Sequence, residues 1–475
     1  MTTIAPALQT DVKKIKGIFN SQTANQFEVG NTTAKQRLAK LDKLYDAVLK
    51  YKQEIREALY ADFKKPEAEV DLTEIYIVTS EIKHARRHLK QWMSREKVET
   101  PMSMLGSSSW IHYEPKGVVL IISPWNFPIN LTFGPLISAI AAGNCVMIKP
   151  SEHTPHSSAV MQKIIDEIYD EQEVALIQGG VETSTELLKL PFNHIFFTGA
   201  PSIGKVVMAA ASKHLSSVTL ELGGKSPTIV DETANLGAVA TRMAWGKFAN
   251  NGQVCIAPDY VLVHESKKDA LIDAVKEKIE AFYGTDVSKS KDYCRMVNGR
   301  HHARVQSMID DAVANGGKVV MGGESNASED YIAPTMITDV SLDSKIMTEE
   351  IFGPVLPIVT YAKLDEAIDL INSKEKPLAL YIYSKSKKNI NKIMKHTRAG
   401  GTCINNSDVH FFNTNLPFGG SNNSGIGKSH GRYGFEAFSN ARSVLQQNIP
   451  GALEMLMPPY TDFKQKLIDL TIKWF

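Results

Sequence analysis

The chain has 475 residues, which exceeds one ordinary hydrophobic core, so two or three domains are expected. Hydrophobic residues make up 43% and charged residues 22%, which is typical of a soluble globular protein. The formal net charge is +1, so the chain lacks the electrostatic footprint expected for a partner such as nucleic acid or an anionic membrane.

Four cysteines without a Cys-x-x-Cys spacing argue against a disulfide framework and a zinc site, and they favour the reducing cytoplasm. No metal is expected, because the adjacent His301 and His302 cannot share a helix face and no other His, Cys and carboxylate group has ligand spacing. Residues 1–10 lack a basic start followed by an apolar run, so we expect no secretory signal. No stretch approaches the roughly 20 apolar residues that cross a bilayer.

The first hundred residues are predicted to be helical. Apolar residues recur at helical spacing over 32–65, which predicts one long helix or two, capped by Thr32 or Thr33 and ended by Pro66. A second helical stretch covers residues 72–92. Residues 102–113 are rich in serine and then alternate, which predicts a hairpin or an arm that projects from the body.

From Gly117 the pattern changes to short apolar strands separated by amphipathic helices. Strands are predicted at 118–122, 145–148, 174–177, 194–198 and 218–220, with helices that include 136–142 and 159–169. Continuous apolar strands that alternate with helices are typical of a parallel sheet covered on both faces. This part of the chain is therefore predicted to be a doubly wound α/β domain.

A second α/β region with its own core is predicted over residues 227–400. Its helices are expected at 236–248, 268–282, 302–314, 364–373 and 388–397, and its strands at 260–263, 318–321, 355–361 and 380–383. Residues 405–434 are rich in Asn, Ser and Gly, which indicates loops.

The C-terminal segment carries an amphipathic pattern. Phe463, Leu467, Leu470 and Trp474 recur at helical spacing between lysines, which predicts a helix with one apolar face. Such a helix could lie on a membrane surface. We favour packing on its own protein or on a partner subunit, as ordinary amphipathic helices do.

Residues 250–258 read Asn-Asn-Gly-Gln-Val-Cys-Ile-Ala-Pro and carry the best candidate nucleophile, Cys255. Most unpaired cysteines only fill space, which is our interpretation of Cys145, Cys294 and Cys403. Cys255 differs because it lies in a loop between a helical stretch and a predicted strand, where functional residues concentrate.

Glu221 ends an apolar strand and is followed by two glycines. Because desolvating a carboxylate is costly, either Glu221 pairs with Lys225 or its pKa is raised and it acts as a general base. The glycine pair favours a site, since glycine lets the backbone approach a ligand closely.

Polar groups follow other strands of the first predicted sheet, where open α/β sheets bind ligands. The Asn126 amide could donate to a developing oxyanion, or it could only satisfy the backbone of a rigid turn. Residues 198–205 form a strand, a glycine turn and a helix opened by Pro201, which could present N–H groups to a phosphate, although the spacing is not Gly-x-Gly-x-x-Gly. Lys149 and Glu152 follow the second strand, and a further carboxylate, Glu350, precedes an aromatic residue.

Together these motifs resemble the aldehyde dehydrogenase superfamily over residues 38–444. The motifs are Pro-Trp-Asn-Phe-Pro at 124–128, Glu-Leu-Gly-Gly-Lys at 221–225, Gly-Gln-Val-Cys at 252–255, Glu-Ile-Phe-Gly-Pro at 350–354 and Leu-Pro-Phe-Gly-Gly at 416–420. The resemblance is specific because five motifs agree in order and spacing. The length and the ending Ser-Gly-Ile-Gly-Lys-Ser-His-Gly at 424–431 look most like the class-three branch, which includes fatty, aromatic and coniferyl aldehyde dehydrogenases.

The resemblance implies NAD-dependent oxidation of an aldehyde to an acid, with NADP possible. It implies that Cys255 attacks the aldehyde, Asn126 helps to hold the oxyanion, and Glu221 activates water to hydrolyse the thioester. The cofactor-binding residues that it implies are Trp125, Lys149, Glu152, Gly199, Gly204, Leu222, Glu350 and Phe352. Since Glu152 should repel a 2′-phosphate, NAD is favoured.

The chain departs from the family pattern at two positions. Ala200 stands where many members carry a serine after the first glycine, so it cannot donate a hydroxyl to the pyrophosphate. Ser429 stands where hydrolytic relatives outside the class-three branch carry a second acid, which leaves Glu221 as the sole evident base.

The resemblance also implies an arrangement of the chain. A cofactor domain is expected at 1–98 and 116–225, a catalytic domain at 226–418, a small β oligomerisation arm at 99–115 and 419–450, and a C-terminal tail at 451–475. A homodimer is expected, with an apolar substrate pocket lined by Tyr76, Phe411, Phe412 and Asn413. Two alternatives are a coenzyme A-acylating enzyme, which commonly lacks the base, and a silent structural protein, which the intact Cys255, Asn126 and Glu221 argue against.

Overall fold

The structure, a computed structural model, describes residues 10–474. The expectation about a secretory signal concerns residues 1–10, of which only Thr10 is described. The helices are α1 Val12–Gly30, α2 Ala34–Lys50, α3 Lys52–Phe63, α4 Glu67–Val70, α5 Tyr76–Trp92, α6 Asn130–Ala142, α7 Pro155–Ile168, α8 Val181–Leu187, α9 Pro201–Ala211, α10 Leu236–Phe248, α11 Lys268–Tyr283, α12 Gly299–Ala314, α13 Lys345–Thr348, α14 Leu364–Asn372, α15 Lys387–His396, α16 Gly431–Ala437 and α17 Asp462–Trp474. The strands are β1 Glu96–Val98, β2 Ser107–Pro115, β3 Val118–Ile122, β4 Cys145–Lys149, β5 Val174–Leu176, β6 His194–Gly199, β7 Ser217–Leu222, β8 Pro227–Val230, β9 Tyr260–His264, β10 Lys318–Met321, β11 Ser325–Asn326, β12 Tyr331–Ile332, β13 Thr335–Thr338, β14 Val355–Tyr361, β15 Ala379–Tyr383, β16 Gly401–Ile404, β17 Gly425–Ile426 and β18 Ser439–Gln447.

The first large sheet has the strand order β17-β7-β6-β3-β4-β5, and only β17 runs antiparallel to its neighbour. Alternate side chains of β3 and β4 enter two separate cores, one packed against α1, α8 and α9 and the other against α2, α5, α6 and α7. Helices therefore cover both faces, as continuous apolar strands require. The predicted doubly wound α/β architecture is confirmed.

The second large sheet has the order β10-β13-β14-β9-β8-β15-β16, with β10 antiparallel and the other neighbours parallel. Its two faces pack against α10 and α11 on one side and against α12 to α15 on the other. The predicted second α/β region with its own core is confirmed.

A small antiparallel sheet joins β1, β2 and β18. Strand β18 pairs with β2 over nine residues, from Ser439 opposite Pro115 to Gln447 opposite Ser107. The arm expected at 102–113 is therefore a strand whose longer partner comes from much later in the chain.

Two local features of the helices were not predicted. Helix α1 has no counterpart among the predicted elements, although its buried positions (Ile15, Ile18, Phe19, Gln22 and Val29) recur at helical spacing on one face. The single helix expected over 72–92 begins with a π-helical turn, Asp71–Ile75, before α5. The stretch 32–65 forms two helices, α2 and α3, which is one of the two predicted arrangements, and the predicted cap Thr33 forms a capping box with Gln36.

The C-terminal helix α17 forms as predicted, but its apolar side chains are exposed. Phe463 is 69% and Trp474 68% exposed, so packing on its own chain, one of the two favoured alternatives, is wrong for these side chains. No helix among residues 10–474 is both long and apolar enough to cross a membrane.

Candidate active site

Cys255 lies in the loop between α10 and β9, just after a turn of unusual backbone conformation. Asn250, Asn251 and Gly252 have φ values of 51°, 56° and 69°, so three consecutive residues are left-handed. A Cβ at Gly252 would overlap the Gly353 carbonyl, which excludes other residues there. The turn brings the cysteine to the carboxyl ends of the strands in the first sheet.

Side-chain amides join this turn to the loop that follows β3. The Asn250 amide donates to the backbone oxygens of Asn126 (3.0 Å) and Gln253 (3.1 Å), and the Asn126 amide donates to the Gln253 oxygen (2.9 Å). Asn126 therefore satisfies the backbone of the cysteine loop rather than its own turn. Because an amide carries two N–H groups, a second one is available for a ligand.

Glu221 is buried at the end of β7. The Ser429 hydroxyl donates to its Oε1 at 2.9 Å, whereas its buried Oε2 has no partner among the described residues. Burial raises the pKa of Glu221 to about 7, against the lowering effects of Ser429, His430 and Lys428.

The alternative that pairs Lys225 with Glu221 is wrong. The Lys225 ammonium contacts Asp259 at 2.5 Å and also donates to the Ile346 and Glu349 oxygens. Glu221 is thus a buried carboxyl without an ion-pair partner, which is the environment of a general base.

The Cys255 side chain is partly exposed, whereas Cys145, Cys294 and Cys403 are buried. Burial of its sulfur raises the pKa of the Cys255 thiol, and the negative charges of Glu350 and Glu221 raise that pKa further. The sulfur is therefore held as a neutral thiol, and its proton has to leave when it attacks an electrophile.

Glu350 approaches the backbone that follows β7. The Gly224 N–H donates to its carboxylate, and burial raises the pKa of Glu350 to about 8. A Cβ at Gly223 would overlap this carboxylate. Because Glu350 Oε1 is buried without a partner among the described residues, it can accept a hydrogen bond from a bound molecule.

One cavity brings the three predicted catalytic residues together, since Cys255, Asn126 and Glu221 all line it. Five residues predicted to bind the cofactor also line it, namely Trp125, Gly199, Leu222, Glu350 and Phe352. The Trp125 and Phe352 rings meet edge to face, 5.3 Å apart.

The other three predicted cofactor residues lie outside this lining. Lys149 and Glu152 form an ion pair of 2.8 Å just beyond β4. Gly204 lies in α9, where a Cβ would come within 2.8 Å of the Leu222 side chain, so its role is close helix-to-strand packing.

A second, mostly apolar cavity also reaches Cys255. Among its walls are Phe127, Trp245, Phe411 and Phe412. Two of the four predicted substrate residues, Phe411 and Phe412, therefore line it. Tyr76 is 51% exposed, with its ring centroid 6.5 Å from that of Phe412, and Asn413 is exposed at the surface.

A carboxylate and imidazole pair in the first cavity was not predicted from the sequence. His430 Nδ1 lies 2.6 Å from Glu81 Oε1, and both residues line the cavity beside Glu221. No local signal marks this pair, because its members come from α5 and from the loop before α16. Within residues 10–474, no three His, Cys, Asp or Glu side chains are grouped to hold a metal ion.

Two parallel sheets that enclose a cysteine, an amide and a carboxyl group in one cavity define an α/β enzyme able to form a covalent acyl intermediate. The sequence model of the aldehyde dehydrogenase family matches residues 1–444. The chain belongs to this family, and it oxidises aldehydes with NAD or NADP as acceptor.

Named relatives support this assignment across most of the chain. The chain is 44% identical to 4,4'-diaponeurosporen-aldehyde dehydrogenase of Staphylococcus aureus, with coverage of 94% of this chain and 95% of the relative. It is 42% identical to aldehyde dehydrogenase family 3 member B1 of Rattus norvegicus, with coverage of 93% and 94%. The predicted class-three branch is confirmed.

A solved structure has the same fold. The substrate-bound state of Staphylococcus aureus AldH matches with a TM-score of 0.92 at 43% identity, and the match covers 96% of this chain and 99% of that one. Solved members at 26% identity include complexes with NAD+ and with NADP.

We expect Gly223→Ala to raise the KM for NAD about tenfold, because the new Cβ displaces the Glu350 carboxylate and about 1.4 kcal/mol of binding is lost. Gly224→Ala is the matched control, since its Cβ would have no neighbour nearer than 3.6 Å. Steady-state kinetics at varied NAD measure both variants. Equal KM values would show that the approach of Glu350 to residue 223 does not affect cofactor binding.

Proposed function

We propose that Cys255, Asn126 and Glu221 carry out the aldehyde oxidation in their shared cavity. The observation that supports this proposal is their convergence from three different segments on one cavity. As the Cys255 sulfur bonds to the aldehyde carbon, its S–H bond breaks and the proton leaves through the cavity to solvent, while the Asn126 amide and the Cys255 N–H stabilise the oxyanion. The product of this step is a thiohemiacetal.

The cavity fits a nicotinamide cofactor. Glu350 would accept a hydrogen bond from the nicotinamide ribose through its unpartnered Oε1, and Gly199, Leu222, Phe352 and Trp125 would line the same site. When bound, NAD would supply the hydride acceptor for this oxidation, and the acyl group would remain on Cys255 as a thioester. Lys149 and Glu152 would hold the adenosine ribose, and the Glu152 carboxylate favours NAD over NADP.

Glu221 then removes a proton from the water that attacks the thioester. Its contacts support this role, because Ser429 orients one carboxylate oxygen and leaves the other free. The raised pKa of about 7 matches a base that works near neutral pH. The presence of this base favours hydrolysis over transfer of the acyl group to coenzyme A.

We also propose a division of the chain into domains. Residues 1–98 and 116–225 form the cofactor domain, residues 226–418 the catalytic domain, residues 99–115 and 419–450 the oligomerisation arm, and residues 451–475 the tail.

The aromatic walls of the second cavity support medium-chain aliphatic or aromatic aldehydes as substrates. Four free cysteines support a reducing compartment, the cytoplasm.

A homodimer is the proposed assembly. Strand β18 is an edge strand with mostly exposed side chains, and such an edge can pair with another chain. Apolar side chains exposed after it, such as Ile449, Phe463 and Trp474, offer further contact area. We expect sedimentation equilibrium to give twice the mass of 52.5 kDa, and the monomer mass would contradict this assembly.

Replacing the nucleophile tests the covalent step. We expect Cys255→Ala to lower aldehyde-dependent NADH formation at least 1,000-fold without loss of fold, because the uncatalysed reaction lacks the thiohemiacetal. Cys403→Ala, at a buried cysteine outside both cavities, is the control. Stopped-flow absorbance of NADH and circular dichroism give the two readouts, and normal turnover in Cys255→Ala would refute the assignment.

The pKa of Glu221 predicts a pH dependence for hydrolysis. Only the carboxylate form is a base, so we expect steady-state turnover to rise about tenfold per pH unit below 7 and to level off above about pH 8. In Glu221→Gln this rise of turnover with pH should vanish, and a single burst of NADH should be followed only by slow residual turnover. Turnover at the wild-type rate in that variant would remove Glu221 from the mechanism.

A further inference from the structure

The Glu81 and His430 pair is held in one geometry. Because an ionised carboxylate only accepts hydrogen bonds, His430 Nδ1 is the donor in the 2.6 Å contact with Glu81, and Nε2 is left as the free ring nitrogen. The Gly431 N–H donates to the other Glu81 oxygen at 3.3 Å. Both carboxylate oxygens are therefore engaged.

Aromatic rings fix the orientation of the imidazole. The Phe411 and Phe418 rings meet that of His430 edge to face, with centroids 4.6 Å and 5.3 Å away. The side chain of His430 is only 11% exposed, and it lines the cavity that holds Cys255 and Glu221. His430 thus presents one free nitrogen in the neighbourhood of the general base.

Glu221 needs an acceptor for the proton that it takes from water. It is 6% exposed, and its Oε2 has no partner among the described residues, so direct transfer of this proton to bulk water is hindered. Its one hydrogen-bond partner, Ser429, precedes His430 in the chain, and a positive charge on His430 lowers the pKa of Glu221. The two side chains are thus electrostatically coupled.

We propose that Glu81 and His430 form a proton relay that serves Glu221 during hydrolysis of the thioester. The relay rests on the proposed function of Glu221. As the water oxygen bonds to the thioester carbon, one water O–H bond breaks and its proton moves to Glu221. The carbon–sulfur bond then breaks with its electron pair on Cys255, which takes the second proton from the nascent acid. The proton on Glu221 passes to His430 Nε2 and leaves to solvent, while Glu81 stabilises the imidazolium.

The charges around His430 favour this direction of transfer. Glu81 from α5 and Glu221 from β7 are the acids that face it, and the neighbouring His410 carries a pKa lowered to about 4 by burial, so it stays neutral. Lys428, which lies two residues before His430, is the remaining charged neighbour of Glu221. An imidazolium at residue 430 is thus balanced by two carboxylates.

His430→Asn removes proton transfer but keeps the hydrogen bond to Glu81, because the asparagine amide can still donate to Glu81 but has no basic nitrogen. With hexanal and NAD, we expect the NADH burst to persist while steady-state turnover falls about 10- to 100-fold, the lower part of the range for general acid–base catalysis. His84→Asn is the control, because His84 abuts Gly431 but does not line the cavity, and its turnover should stay unchanged.

A double-mutant cycle with Glu221→Gln decides whether His430 acts through Glu221. If it does, adding His430→Asn to Glu221→Gln should change the slow hydrolysis rate by less than about twofold. Additive losses, or a turnover in His430→Asn equal to that of the wild type, would overturn the relay. Absence of any aldehyde-dependent NADH formation in the wild type would instead contradict the proposed function itself.

Discussion

The site depends on a buried set of hydrogen bonds that joins the two large sheets. The side chains of Asn250 and Asn126 share the Gln253 carbonyl, and the Glu69 carboxylate accepts the Asn250 N–H at 2.9 Å. Separating the loop after β3 from the turn before Cys255 would leave buried polar groups without partners. Each such group lowers the stability of the fold by about 1–3 kcal/mol. These hydrogen bonds offset the conformational cost of the left-handed backbone at residues 250–252, and they keep Cys255 beside the Asn126 amide.

Desolvation determines the pKa values of the acidic groups in the cavity. Burial raises the pKa of Cys255, Glu221 and Glu350, because low-dielectric surroundings disfavour each negative charge, and the two carboxylates raise the pKa of Cys255 further. A carboxyl group that titrates near neutral pH is suited to accept and release protons in each turnover. Two cavities reach the thiol, one at the strand ends and one that is mostly apolar, and they share the Asn130, Leu131 and Phe411 side chains as walls.

Much of the fold follows from local sequence pattern. Strands such as β3, β10 and β14 have the predicted bounds, because a short apolar run between turn residues has few alternatives to a buried strand. Helix α1 was not predicted although its buried positions have helical spacing, and only the structure shows that they pack against the first sheet. The pairing of β2 could not be predicted from local pattern, because its main partner β18 lies more than 300 residues away.

The amino-acid sequence by itself determined the family, and it pointed to Cys255 and Glu221 as the proposed nucleophile and base, because each motif is a short run whose residue types are demanded by chemistry. It left open whether Glu221 pairs with Lys225, and only the tertiary structure decided this by placing Asp259 against the lysine. Only the tertiary structure shows the hydrogen bond between His430 and Glu81, and only it shows that the Glu350 carboxylate occupies the space beside Gly223. These contacts join residues from separate elements, so their geometry exists only once the sheets and helices have packed.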